Sequence, residues 1–329
     1  MTTSSSDRIA DGSHSTPSRR DFLHQTAGIA AAVATMTPSV QAADGPGSTS
    51  SLLPTIQLGP HKITRLIIGG NPVYGYSHFN KNFDRHMAAW HTPERVMELL
   101  KRCEECGLNT FQNSYSERTL ADLERYRSAG GTMNWLCLGN PDWEQHPEFI
   151  DDAAKHKPIG ISPHGHLNER LHRQKKYDVL TDLLKRIRDH GVLVGLSAHD
   201  PTLIETAEEK GWDVDYYMTA LYFLSRTKEE QRAILGNDLP LGEIYLPSYP
   251  PRMFKAIKET SKPCLAYKLL AAGRRIGSPT EVRRCFEEAF ANIKAKDAAI
   301  VGMYQQFGDQ VAENAAIVRD IGSKGLGDH

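Results

Sequence analysis

From Ile63 onward, short apolar runs alternate with longer stretches whose apolar residues recur at helical spacing, and the alternation repeats eight times. Ile63–Gly70, Asn109–Asn113, Asn134–Leu138, Ile159–Ser162, Val192–Ser197, Val214–Leu221, Cys264–Leu269 and Ala298–Val301 read as strands. A strand followed by a helix, eight times over, predicts a parallel sheet closed into a (β/α)8 TIM barrel, assigned to residues 56–322.

Punctuation supports several boundaries. Thr92-Pro93-Glu94 is an N-cap with proline in the first turn, and Gly107 ends the helix it opens. Asp200-Pro201-Thr202 starts the helix after the fifth strand in the same way. Helices are also expected at 118–128, 147–155, 251–260, 279–292 and 309–321, and one long basic helix between His164-Gly165-His166 and His190-Gly191. Two connections are unusually long, Asn71 to His91 after the first strand and Phe223 to Tyr249 after the sixth. Loops of this size at the C-terminal ends of barrel strands are expected to be lids or binding surfaces.

The first fifty residues are of another kind, rich in Ser, Thr, Ala and Gly, without a repeating apolar pattern that could form a core. Ser18-Arg19-Arg20-Asp21-Phe22-Leu23, the mildly apolar run Ala27 to Met36, and the small-residue site Val40-Gln41-Ala42 resemble a twin-arginine export signal. The expected organisation is a removable leader at 1–42, a linker at 43–55, the barrel, and a tail at 323–329. Its partner would be the twin-arginine export machinery, and the mature protein would be periplasmic or otherwise extracytoplasmic. The apolar run is too short and too Ala-rich to remain as a membrane span.

Composition narrows the partners. The 329 residues carry 39 Lys+Arg against 40 Asp+Glu, so no bulk field draws the chain to nucleic acid or to an acidic membrane. The cysteines number 5, and Cys103 with Cys106 form a C-x-x-C inside a helical pattern, with no second pair to complete a zinc site. Packed helix thiols are the expectation there.

Several phrases, in order along the repeat, are similar to the aldo-keto reductase family. They are Ile63 to Pro72 with its Gly69-Gly70-Asn71 exit, Gly107 to Phe111, Gly195-Leu196-Ser197-Ala198-His199, Tyr267 to Arg274, and Val301-Gly302 through Gln310 to Asn314. The resemblance implies an oxidoreductase that reduces a small carbonyl or carbohydrate compound with NAD or NADP. Ser197, Gly302, Gln310 and Asn314 would lie on the cofactor, with a phosphate at the helix that begins near Asp309. It also implies a tetrad of Asp, Tyr, Lys and His. Here Gln112 stands where the Asp belongs, Leu136-Cys137-Leu138-Gly139 replaces the Lys segment, and His164 matches the His. Tyr115 is the candidate acid and Lys268, on the seventh strand, the candidate replacement cation. Met303-Tyr304-Gln305-Gln306 stands where the family often has a cation for the 2′-phosphate.

A second chemistry fits the same mouth. There are 14 histidines, among them His164 and His166 after the fourth strand, His199-Asp200 after the fifth, and His78 in the first long loop. His164, His166 and His199 are a candidate set for a divalent metal ion. The alternative function is therefore a metal-dependent or acid/base sugar-modifying enzyme (lyase, isomerase or hydrolase) without nicotinamide. A further alternative is a non-catalytic carbohydrate-binding barrel, for which Tyr74, Tyr76, Phe79, Trp90, Trp143, Tyr222, Phe223, Tyr245 and Tyr249 would supply ring faces.

Overall fold

The computed structural model describes residues 51–236 and 243–323. The expected leader, most of the linker and all but the first residue of the expected tail lie outside the described residues.

Eight parallel strands close into a barrel: β3 (Leu66–Gly69), β4 (Thr110–Ser114), β5 (Asn134–Leu138), β6 (Gly160–Ser162), β7 (Leu193–Ala198), β8 (Tyr216–Ala220), β9 (Cys264–Tyr267) and β10 (Ala298–Gly302). β10 returns to pair with β3, which closes the ring. The TIM-barrel expectation therefore holds. Side chains alternate as strand geometry requires. Ile67, Leu136, Tyr216, Met218, Leu265, Ala298 and Ile300 fill the interior, while Leu66, Ile68, Trp135, Cys137, Tyr217, Ala266 and Val301 pack outward under the helices.

The first apolar run proves to be two elements. Ile63 and Thr64 belong to β2 (His61–Thr64), which pairs with β1 (Thr55–Leu58) as an antiparallel hairpin, and only Leu66–Gly69 enters the barrel. Arg65 stands between them, its Nε donating to the Asp297 carbonyl at 3.0 Å. Ile56, Leu58 and Ile63 join the interior cluster, so the hairpin stoppers the N-terminal end of the barrel. Its turn residue Gly59 has φ +55, and a Cβ there would lie 2.6 Å from Leu193 Cδ2, so a side chain would meet both backbone strain and a clash. Leu53, in the stretch expected as linker, is already buried.

The outer layer is helical: α2 (Pro93–Glu105), α3 (Glu117–Ser128), α4 (Glu148–Lys155), α5 (Gly165–Arg173), α6 (Tyr177–Asp189), α7 (Pro201–Glu209), α9 (Tyr249–Glu259), α10 (Pro279–Asn292) and α11 (Gln310–Ser323). Thr92 caps α2 and Asp200 caps α7, as their sequences indicate. The single long basic helix is instead two, α5 and α6, separated where Lys175 takes φ 55. No Gly or Pro marks that break.

Neither long loop is irregular throughout. The first contains α1 (Lys81–Trp90), capped by the Asn80 side chain, and the second contains α8 (Lys228–Leu235), opened by a Thr227/Glu230 capping box. Among the described residues no helix is long and apolar enough to cross a membrane. Cys103 and Cys106 are both free, the first buried in α2 and the second only partly.

Candidate active site at the barrel mouth

The C-terminal ends of the strands carry a polar floor. Ser162 Oγ lies 3.1 Å from Tyr216 OH, and Ser197 Oγ lies 3.2 Å from Tyr267 OH. Gly195 makes room for the first pair, since a Cβ there would fall 1.9 Å from Ser162 Oγ.

β9 supplies two successive residues to the mouth. Tyr267 points inward, and strict alternation would send Lys268 to the opposite face. Lys268 instead has φ 67, a left-handed conformation uncommon outside glycine, and its Nζ lies 2.8 Å from His78 Nε2. His78, in the loop between β3 and α1, has φ 61. Arg274 holds this turn: its guanidinium lies between the Phe79 and Tyr245 rings, 4.3 and 4.1 Å from their centroids, and donates to the His78 carbonyl at 2.9 Å.

His78 is a bridge. Its Nδ1 lies 2.8 Å from Glu243 Oε1, while Asn71 Nδ2 reaches Nε2 at 3.0 Å and Tyr245 OH donates to Glu243 Oε2 at 2.8 Å. An ionised carboxylate only accepts, so the network puts the proton on Nδ1 and leaves the Nε2 lone pair facing Lys268. Burial lowers the Lys268 ammonium to about 8; Glu243 opposes that shift and Arg274 adds to it. Burial, helped by the Lys268 charge, also lowers His78. Burial alone would push Glu243 up, but the hydrogen bond from His78 and the nearby positive charges bring it down to about 2.

A second group adjoins the first. Lys268 Nζ lies 5.8 Å from the Tyr267 ring centroid, and Tyr267 OH lies 3.3 Å from His199 Nε2. His199 Nδ1 faces Glu169 Oε2 at 3.3 Å and Ser225 Oγ at 3.4 Å. Glu169 Oε1 accepts the amides of His199 and Asp200, so a buried carboxylate on α5 ties together the end of β7 and the start of α7. Its carboxyl is brought down to about 2 by His199 and these hydrogen bonds, against the effect of burial.

His164 caps α5, its Nδ1 accepting the His166 amide at 3.1 Å. The remaining proton is thereby placed on Nε2 as a free donor. Burial, then the charges of His166, His199 and Lys268, lower its pKa to about 3, so the ring is neutral at ordinary pH. His166 lies between His164 and His199, edge-on to the first ring and tilted against the second, each centroid 5.1 Å away, and is lowered by desolvation and by His199.

Of the expected catalytic residues, the mouth brings His164 and Lys268 to one rim and sends Tyr115 elsewhere. Its phenol donates to Asp152 Oδ2 on α4 at 2.7 Å, its ring packs on Trp143 and Phe149, and burial with the Asp152 carboxylate raises its pKa. The candidate metal set is likewise not assembled. Among the described residues no three His, Cys, Asp or Glu side chains are grouped to hold a metal ion, because His199 faces protein partners with both nitrogens and His164 uses Nδ1 as a cap.

The residues expected on the cofactor are taken up by other parts of the chain. Ser197 faces Tyr267, a Cβ at Gly302 would lie 2.6 Å from Pro72 Cδ, Gln310 Oε1 accepts the Tyr304 amide at 2.8 Å, and Asn314 is buried. At the start of α11, the amides of Gln310, Val311 and Ala312 already donate to the Gly308 carbonyl, Gln305 Oε1 and Asp309 Oδ1. Asp309 itself puts a carboxylate at that helix end, paired with Arg102. These residues do not fit a cofactor diphosphate there, since the amide donors are taken and the Asp309–Arg102 pair occupies the helix end.

Among the aromatic candidates, Tyr76 and Phe79 are exposed, while Trp143 and Tyr222 are buried core residues. Sequence reasoning named His78 without a role and missed Glu243, Glu169 and Tyr267 as site residues. Only the length of the loop bearing Glu243 hinted at its use.

No family model matches the chain, and no curated protein sequence matches it. Solved structures with a similar chain path include a truncated 3-deoxy-D-arabino-heptulosonate 7-phosphate synthase from Thermotoga maritima, at 15% identity and a TM-score of 0.49, over 84% of this chain and 95% of that one. The glycerol dehydrogenase AKR11B4 from Gluconobacter oxydans is 10% identical with a TM-score of 0.46, over 84% and 97%. The dihydropteroate synthase from Thermus thermophilus is 12% identical with a TM-score of 0.45, over 82% and 99%. Likenesses this distant do not choose among activities.

Proposed function

We propose that this barrel catalyses proton transfer on a small α-hydroxy carbonyl compound of sugar type, without nicotinamide. The observation that carries the reading is the Glu243–His78–Lys268 relay at the rim of the mouth. Lys268, lowered to about 8, is a base matched to near-neutral operation and takes the proton α to the carbonyl. His78 and Glu243 are positioning residues: the carboxylate fixes the imidazole, and the imidazole lone pair accepts a hydrogen bond from Lys268 Nζ and aims the amine. The neutral His164 offers its Nε2–H to the carbonyl oxygen, where negative charge develops as the α-proton leaves.

The reductase reading implied by the resemblance to aldo-keto reductases keeps His164 but has no phenol at the rim in the expected place, since Tyr115 is bound to Asp152. One experiment separates the two. The chain from Thr49 onward is incubated with dihydroxyacetone or glyceraldehyde in D2O, and proton NMR follows loss of the α-proton signal. Exchange faster than the buffer rate and absent in Lys268→Met supports proton transfer. No exchange, together with fluorescence enhancement of NADH or NADPH, would replace it by hydride transfer.

A further inference from the structure

Resting on the reading of Lys268 as the reacting amine, we propose that Lys268 also acts as a nucleophile, joining the carbonyl carbon of the substrate as an imine. Three features of its placement support covalency over a base alone. The side chain is half-buried at the end of a barrel strand, held by a rigid scaffold rather than by a free surface loop. A proton acceptor lies in contact with it, since Nζ is 2.8 Å from His78 Nε2 and Glu243 anchors the far side of the ring. Arg274, spanning Phe79 and Tyr245 beside the same turn, adds a second cation that disfavours the ammonium. An activated lysine commonly has this pairing of partial desolvation with a neighbouring positive charge.

The conformation is costly in a way that suits the role. Lys268, Ala271 and Ala272 all have positive φ, as does His78 opposite. Non-glycine residues held in this region are strained, and they collect where a site fixes a reactive geometry. Here the strain turns Lys268 from the outer face, where alternation would place it, to the rim.

The step balances without an oxidant or reductant. The Nζ lone pair forms the C–N bond, the C=O π electrons move to oxygen, and the ammonium proton passes through His78 Nε2 to that oxygen. The carbinolamine hydroxyl then takes a further proton, supplied from solvent through His78 Nε2, and leaves as water while the nitrogen lone pair forms C=N, giving a protonated imine. With Nζ committed to the imine, His78 Nε2 acts as the base in this route rather than as a positioning residue: the adjacent C–H proton passes to it to give the enamine, and reprotonation and hydrolysis return the free amine.

Reductive trapping tests this. The folded protein is incubated at pH 7 with dihydroxyacetone and sodium cyanoborohydride, and peptide mapping by mass spectrometry locates the secondary amine formed. A pKa lowered from 10.5 to about 8 raises the free-amine fraction at pH 7 roughly 300-fold. Lower intrinsic nucleophilicity offsets part of this, so Lys268 is expected to label at least about tenfold faster than the surface lysines. His78→Gln should slow that labelling and leave the other lysines unchanged, and Lys268→Arg should remove it. Because the map is made on the unaltered protein, a variant that fails to fold does not blunt the test. Labelling confined to surface lysines while α-proton exchange continues would overturn the imine and leave proton transfer standing. Loss of both would overturn the two readings together.

Discussion

A lysine whose ammonium is partly desolvated beside an arginine is an unusual expense for a folded chain, and its consequences can be measured at Lys268. The free amine is the reactive form, so kcat/KM should rise with pH through an apparent pKa near 8. Glu243 helps hold the proton on Lys268, so Glu243→Gln should move that limb to lower pH while reducing the plateau, a combination that simple loss of packing would not give. Stability should also rise with pH, whereas removing the amine should move stability and activity in opposite directions. Since the folded-state pKa lies below 10.5, the unfolded chain binds more protons between about pH 8 and 10.5, and the penalty for burying the ammonium is fully present below pH 8. Lys268→Met should therefore lower α-proton exchange by about 10³-fold. It should raise stability at pH 7 by about 1 kcal/mol in chemical denaturation, a figure already reduced for the partial exposure of the side chain.

Glu169 has the reverse electrostatics and a structural purpose. One helix, α5, places this buried carboxylate under His199 and against the amides that open α7. With its pKa lowered to about 2, its contribution is fully present above the ordinary carboxyl value of 4.5 and is lost as pH falls toward 2. Glu169→Ala should cost about 3 kcal/mol at pH 7, because His199 and two amides lose a buried partner, and the deficit should shrink on acidification when followed by circular dichroism melts. Between β6 and β7 the limit is steric. Gly195→Ala would drive a methyl into Ser162 Oγ and the Tyr216 ring, and should cost about 2 kcal/mol in the same assay. The α5–α6 break and the hairpin ahead of β3 illustrate why segment boundaries were only partly legible. Lys175 adopts its left-handed turn without a Gly to announce it, and the apolar run from Ile63 to Gly70 has no punctuation to divide two strands of different sheets.

The molecule divides its labour between the two ends of the barrel. The β1–β2 hairpin stoppers one end with Ile56, Leu58 and Ile63, while the loops at the other end carry the titratable groups. Ile63→Ala should therefore lower stability by about 3 kcal/mol and leave kcat unchanged under conditions where the protein stays folded. Urea denaturation beside steady-state rates would check both halves. The thiols follow the same burial pattern. Of the five cysteines only Cys106 is partly exposed, so a thiol reagent should modify at most that one in the native protein and all five after unfolding.

The eightfold alternation was sufficient for the barrel, because a strand followed by a helix has few ways to bury both apolar faces. Caps such as Thr92-Pro93 and Asp200-Pro201 likewise located helix starts through local hydrogen bonding alone. His164 was legible as a residue at a strand end. The composition of the reactive group was not, because its members come from loops without periodicity. His78 lies 165 positions from Glu243 and 190 from Lys268, and nothing between them in the chain records that they touch. Tyr115 shows the converse, a residue near a strand end whose side chain is drawn outward by Asp152 on a neighbouring helix. Local pattern fixes which elements form, since propensity and burial act along the chain. Closing the ring decides which loops meet, and the left-handed turn at Lys268 decides which way the amine faces.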